Sequence, residues 1–184
     1  KKILMSDPKL SIIICVYNEE PNIRPLNKWI NESITGIDYE IIYVDDGSTD
    51  RTRQEIIALK DPRVVLVEFR KNFGQSAALY AGIDQARGEY LVTMDGDLQN
   101  DPSDIPMMLK LAEDENWDLV AGVRKNRQDG MFLRKIPSRI ANASGSRISR
   151  PTYSTATATM PHSSVKILAS YELRTVRGIG LSRS

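Results

Sequence analysis

Hydrophobic and polar positions follow two rhythms between residues 10 and 142. Leu10–Val16 (LSIIICV) is a continuous apolar run, as expected for a strand covered on both faces. Pro21–Ile34 then places Ile23, Leu26, Ile30 and Ile34 at the spacing of one helix face, behind a proline suited to a helix start. Glu40–Val44 predicts a second strand. Asp50 is placed to cap a helix whose Ile56, Ile57 and Leu59 face inward. Val64–Phe69 predicts a third strand, and Gly74–Ala86 a helix of small residues packing through Leu79, Gly82 and Ile83. Tyr90–Met94 is the fourth strand, Pro102–Glu115 a helix, and Leu119–Ala121 a short fifth strand. Alternation of this kind predicts an α/β fold, a mostly parallel sheet with helices on both faces.

In such sheets ligands bind beyond the carboxyl ends of the strands, and each predicted strand ends there in polar residues. The first runs into Tyr17-Asn18-Glu19-Glu20, and the second into Asp45-Asp46-Gly47-Ser48-Thr49-Asp50. The third runs into Arg70-Lys71-Asn72-Phe73-Gly74-Gln75, the fourth into Asp95-Gly96-Asp97-Leu98-Gln99, and the fifth into Gly122-Val123-Arg124. Taken alone, Asp46–Asp50 reads equally as a turn and helix cap. Asp95-Gly96-Asp97 carries more chemistry. Two carboxylates flanking a glycine repel unless a cation or hydrogen bonds compensate, and such hard oxygen donors suit Mg²⁺ or Mn²⁺. Two solvated turn aspartates are the plainer alternative.

Composition narrows the field. The 184 residues suffice for one ordinary domain, with 41% hydrophobic and 27% charged residues in a soluble globular mix. Lysine and arginine number 25 against 24 aspartates and glutamates, so bulk charge makes no case for nucleic acid. One cysteine, Cys15, and one histidine, His162, argue against a disulfide framework, a structural zinc site or a Ser-His-Asp triad. No stretch approaches the ~20 apolar residues of a membrane span, and Lys1–Lys9 does not read as a signal peptide. Neither Gly-x-Gly-x-x-Gly after the first strand nor Gly-x4-Gly-Lys-Ser/Thr occurs, which removes the usual marks of dinucleotide redox chemistry and P-loop phosphoryl transfer.

The order Val16-Tyr17-Asn18-Glu19, Val44-Asp45-Asp46-Gly47-Ser48-x-Asp50, Asn72-Phe73-Gly74 and Asp95-Gly96-Asp97-Leu98-Gln99 resembles the family 2 glycosyltransferases of the GT-A fold. It is most similar to their polyprenyl-phosphate branch, which includes dolichol-phosphate mannose synthases and bactoprenol glucosyltransferases. The resemblance implies an enzyme that moves a sugar from a UDP- or GDP-linked donor to a polyprenyl phosphate, with Mg²⁺ or Mn²⁺ and inversion at the anomeric carbon. Tyr17, Glu19 and Asp46 match positions that hold base and ribose, with Asp45 beside them, and Asn72 and Gly74 complete the nucleotide-sugar site. Asp95, Asp97 and Arg124 are the implied catalytic residues, Asp95 also touching the donor, and Asp97 and Gln99 the implied metal ligands. Arg134, Lys135 and Ser138 match groups that hold an acceptor phosphate; a basic surface helix is the alternative for Arg124–Arg139. The implied place of work is the cytoplasmic face of the cell membrane, with a homo-oligomer compatible and no nucleic-acid partner. Rival readings are a GT-A transferase with a soluble acceptor, a nucleotidyltransferase, and a nucleotide-sugar-binding domain without turnover.

The resemblance covers about Leu10 to Asn142, so residues 1–142 are expected to form the GT-A catalytic domain. Cys15 stands where that family usually has proline. The tail 143–184 is rich in Ser, Thr, Ala and Arg, and Thr152–Thr159 (TYSTATAT) approaches low complexity. It is expected to be an atypical segment, read out of frame or poorly ordered, with only Val165–Leu173 able to form an element.

Overall fold

The computed structural model describes residues 7–123, 166–169 and 175–179. Five strands follow the predicted order: β1 (Leu10–Val16), β2 (Tyr39–Asp45), β3 (Val64–Glu68), β4 (Tyr90–Asp95) and β5 (Leu119–Val123). Two more, β6 (Lys166–Ala169) and β7 (Thr175–Ile179), come from the tail. The helices are α1 (Ile23–Ser33), α2 (Thr52–Ala58), α3 (Gln75–Gln85) and α4 (Ile105–Asp114). Pro21 and Pro102 lie in short 3₁₀ turns, Glu20–Asn22 and Pro102–Asp104, that lead into α1 and α4. A proline lacks a donor, and a helix start needs none at that position.

The sheet runs β3-β2-β1-β4-β6-β5-β7, parallel throughout except for β7, which is antiparallel to β5. The chain moves outward from β1 to β2 and β3, then returns to place β4 on the other side of β1. That reversal is the topological switch point of the sheet. Val16 aligns with Asp45, and Cys15 with Asp95, so three strands end level on one edge.

Alternate residues of β1 serve opposite faces. Leu10, Ile12, Ile14 and Val16 join Ile23, Leu26 and Ile30 of α1 and Ile105, Met108 and Leu109 of α4 in the larger core. Ile13 joins Ile42, Val44, Leu91 and Ala78 of α3 in the smaller one. Helices therefore cover both faces, as the apolar runs of the strands require.

One detail corrects the sequence reading and two add to it. Ile57 is 58% exposed, because α2 is only seven residues long and Ile56 and Thr52 are its buried face. α3 meets the sheet through the buried Ala78 and Gly82, with Leu79 and Ile83 packed against the same cluster. A Cβ on Gly82 would lie 2.4 Å from Ile13 Cγ2, so the small residue sets how closely the helix lies. In the tail, the described residues form β6 and β7. β6 falls inside the one tail segment expected to be ordered and fills the gap between β4 and β5, with Leu168 fully buried between Val92 and Val120.

Candidate active site

Polar loops meet where β1, β2 and β4 end. Asp46, directly after β2, is 5% exposed, and its carboxylate accepts the backbone N–H groups of Phe73 at 2.7 Å and Gly74 at 2.9 Å. These bonds fix the start of α3 against the end of β2. Gly47 makes the approach sterically feasible: its φ is +73°, and a Cβ there would lie 2.4 Å from the Lys71 carbonyl carbon.

A second set of bonds joins the loop after β1 to the loop after β2. Asn18 N–H donates to Ser48 Oγ at 2.9 Å, and Asn18 Oδ1 accepts from Thr49 N–H at 2.8 Å. Glu19 N–H donates to Thr52 Oγ1 at 2.8 Å, whose hydroxyl donates onward to Asp50 Oδ1 at 2.6 Å. Asn18 takes a left-handed conformation (φ 56°), which asparagine tolerates better than most side chains. The clip leaves Tyr17 46% exposed at the mouth and turns Glu19, which accepts from Asn22 Nδ2, into the part-buried wall.

The result is a cleft of about 250 Å³ whose wall includes Tyr17, Glu19, Asp46, Asn72 and Gly74. Five of the sequence-derived nucleotide-sugar residues thus share one cavity. Asp45 does not join them. It is 2% exposed, and its Oδ1 accepts from Ser48 N–H at 2.9 Å, so it braces its own turn.

Asp95 ends β4 and borders a smaller recess of about 70 Å³ on the α3 face of the sheet, between Thr93 and Gln75. Gln75 Nε2 donates to Asp95 Oδ1 at 2.8 Å. Gly96 is needed for close approach: a Cβ would stand 2.6 Å from Val16 Cγ1. The left-handed residue of this turn is Leu98 (φ 63°), while Asp97 Oδ1 accepts Gln99 N–H at 3.0 Å. Strained backbone of this kind concentrates at functional loops.

Cys15 borders both cavities. Burial, with the Asp95 and Asp46 carboxylates adding to it, pushes its thiol up to about 12. A protonated thiol is no nucleophile at neutral pH.

Among the described residues no group of three or more His, Cys, Asp or Glu side chains is placed to cage an ion. Asp97 and Gln99 are two hard oxygen donors on one turn. That set fits Mg²⁺ or Mn²⁺ completed by substrate phosphates and water, which is how these ions are usually held. Arg124, Arg134, Lys135 and Ser138 lie outside the described residues.

Sequence reasoning left Gln75 out of the site, although it stands in the polar run after β3. Nothing in linear spacing pairs it with Asp95, twenty positions away.

A sequence model described as "Glycosyl transferase family 2" matches residues 11–169. The chain belongs to that family. Its match runs past Asn142 and through β6, farther than the motif resemblance extends. The chain is 47% identical over 139 residues to a dodecaprenyl-phosphate galacturonate synthase of Rhizobium johnstonii, covering 73% of this chain and 41% of that protein. It is 40% identical over 140 residues to an undecaprenyl-phosphate 4-deoxy-4-formamido-L-arabinose transferase of Proteus mirabilis, covering 73% and 42%. It thus spans about four-tenths of the length of these curated relatives. Among solved structures, a Pyrobaculum calidifontis mannosyltransferase in complex with GDP-Man and Mn²⁺ aligns with a TM-score of 0.57 at 26% identity, over 68% of this chain and 38% of that one. S. aureus TarS in complex with UDP aligns at 0.55 and 23% identity, over 63% and 36%, a likeness of fold. The fold of this family 2 chain is GT-A, with its parallel sheet and flanking helices.

Proposed function

We propose that this chain is the donor-binding and catalytic part of a glycosyltransferase that moves a sugar from a nucleoside-diphosphate sugar to a polyprenyl phosphate. The observation that carries this is the meeting of the Tyr17–Glu19–Asp46 cleft with the Asp95–Asp97 turn at the switch point of the sheet. Both curated relatives named above carry polyprenyl-phosphate sugar transfer in their names, which supports the choice of acceptor. We infer that the work is done at the cytoplasmic face of a membrane, where a polyprenyl phosphate acceptor would lie. No helix among the described residues is long and apolar enough to cross one.

In this reading Tyr17, Glu19 and Asp46 hold base and ribose, with Asn72 and Gly74 along the cleft. Asp46 keeps lone pairs for a ligand after accepting the two backbone bonds. Asp97 and Gln99 would hold a divalent ion, and the mannosyltransferase with Mn²⁺ supports divalent-metal use. Bound there, the ion supplies Lewis-acid stabilisation of charge on the departing diphosphate. Arg124 adds a cation to the same oxygens. Arg134, Lys135 and Ser138 orient the acceptor phosphate, which is largely ionised at pH 7 because its second pKa is about 6. A phosphate oxygen forms the new bond to the anomeric carbon as the bond to the donor diphosphate breaks, with inversion. No general base is needed.

Transfer assays test the reading, using UDP- and GDP-sugars with polyprenyl phosphate or a soluble sugar acceptor, with Mn²⁺ or with EDTA. Metal-dependent product on the lipid phosphate is expected. Transfer only to the soluble acceptor overturns the acceptor assignment, and donor binding without turnover reduces the chain to a binding domain.

A further inference from the structure

Gln75 stands between the two cavities and lines both of them. It is the first residue of α3, and its backbone is aimed by Gly74, whose N–H the Asp46 carboxylate holds at 2.9 Å. Its side chain crosses to β4 and donates to Asp95 Oδ1 at 2.8 Å. A continuous path therefore runs from Asp46 after β2, through the start of α3, to Asp95 at the end of β4. It joins the wall of the larger cleft to the Asp-x-Asp turn.

The donor is a neutral amide, and that matters. An arginine or lysine in its place would hold Asp95 but cancel its charge. An amide fixes one carboxylate oxygen by a bond of ordinary length and leaves the negative charge in place. Gln75 is itself exposed. The side chain therefore has little packing to explain its place.

We propose that Gln75 is a positioning residue for the donor diphosphate, holding the Asp95 carboxylate in register with the nucleotide cleft. The assignment rests on the donor-site reading above. Loss of the bond removes one hold on the Asp95 carboxylate, so the phosphate end of the site loses definition while the base end keeps its own supports, the Asn18 and Asp46 contacts.

The test uses the purified full chain with UDP, GDP, UMP and GMP as probes, each titrated by calorimetry with Mn²⁺ and with EDTA. Gln75→Met keeps the length and shape and removes the donor; Gln75→Glu keeps the length and sets a carboxylate against Asp95. For the nucleotide that the wild type prefers, Q75M is expected to weaken Mn²⁺-dependent diphosphate binding at least fivefold, and Q75E more. Monophosphate affinity should fall less than twofold in Q75M, with the melting temperature kept. Unchanged diphosphate affinity in Q75M overturns the assignment, as does an equal loss for mono- and diphosphate, which would make Gln75 a general support of the cleft. A wild type that binds neither diphosphate with Mn²⁺ overturns the donor-site reading itself, and this assignment with it. That outcome is read before any variant is made.

Discussion

Replacing the Asp97 carboxylate by an amide leaves an oxygen to accept the Gln99 N–H bond but removes the charge. Asp97→Asn should therefore keep the turn and the melting temperature while most sugar transfer is lost. Equal loss of stability and activity would make Asp97 a structural residue of the turn. Gly47 is the converse case, a residue with no chemistry whose absence of a side chain the site requires. Gly47→Ala puts a Cβ 2.4 Å from the Lys71 carbonyl carbon, at a φ of +73° that L side chains rarely adopt. Strain of that kind costs about 1–3 kcal/mol, and the clash adds to it, so urea unfolding should show a loss at the upper end or beyond. At this scale the sequence was legible where residue type alone limits the role. Tyr17, Glu19, Asn72 and Asp95 could be placed at strand ends from their position after apolar runs. Asp45 and Asp46 were told apart only through the resemblance, because what separates them physically is which way each points at the end of β2: Asp45 to Ser48, Asp46 across to Phe73 and Gly74.

The strands were the most legible elements. Their apolar runs are short, unbroken and bounded by polar turns, and parallel pairing buries both faces, so no alternation had to be read. Helix faces were less so. Gly82 was legible as a packing position of α3, whereas Ala78 was not, because small residues look alike in a sequence. The connection into β3 was missed altogether, yet it holds a strongly hydrogen-bonded carboxylate. Asp61 accepts from Arg63 Nε at 3.0 Å and Nη2 at 2.9 Å, from Arg63 N–H at 3.0 Å and from Asn31 Nδ2 at 3.1 Å. The Arg63 guanidinium bond foremost, against the opposing effect of burial, holds its carboxyl down at about 2. A carboxyl with a depressed folded-state pKa stabilises the fold above its unfolded value, about 4. That contribution is lost as pH falls through the folded value. Asp61→Asn should accordingly be less stable than wild type at pH 7, and the gap should close as pH falls from about 4 toward 2. Urea denaturation across that range measures it; a gap that stays constant would show that Asp61 acts through hydrogen bonding alone and not through its charge.

At the scale of the molecule, sheet order decides what the tail does. Among the described residues β5 pairs with β6 and β7 alone, and β6 links it to β4 and the rest of the sheet. An α/β sheet built from residues 1–142 alone, as the motifs suggested, would leave the Tyr90–Thr93 edge of β4 unpaired and strip Val92 and Val120 of the Leu168 side chain between them. An open apolar edge of that kind invites aggregation. Val165–Leu173 was legible as the one tail segment able to form an element, but its place between β4 and β5 was not, because a run of four residues, KILA, carries no sign of which strands it pairs with. A chain ending at Asn142 is therefore expected to lose cooperative unfolding or to aggregate. Leu168→Ala in the full chain should cost about 2–5 kcal/mol, the range for large-to-small changes in a core. The alternative reading, a tail translated out of frame, makes the opposite prediction: the 1–142 chain would melt at the temperature of the full chain, and Leu168→Ala would be silent. The encoding DNA supplies an independent check, since an uninterrupted frame with no family-like segment in either shifted frame is incompatible with a frame error. Retained stability of the 1–142 chain, together with such a segment, would instead remove β6 and β7 from the native sheet.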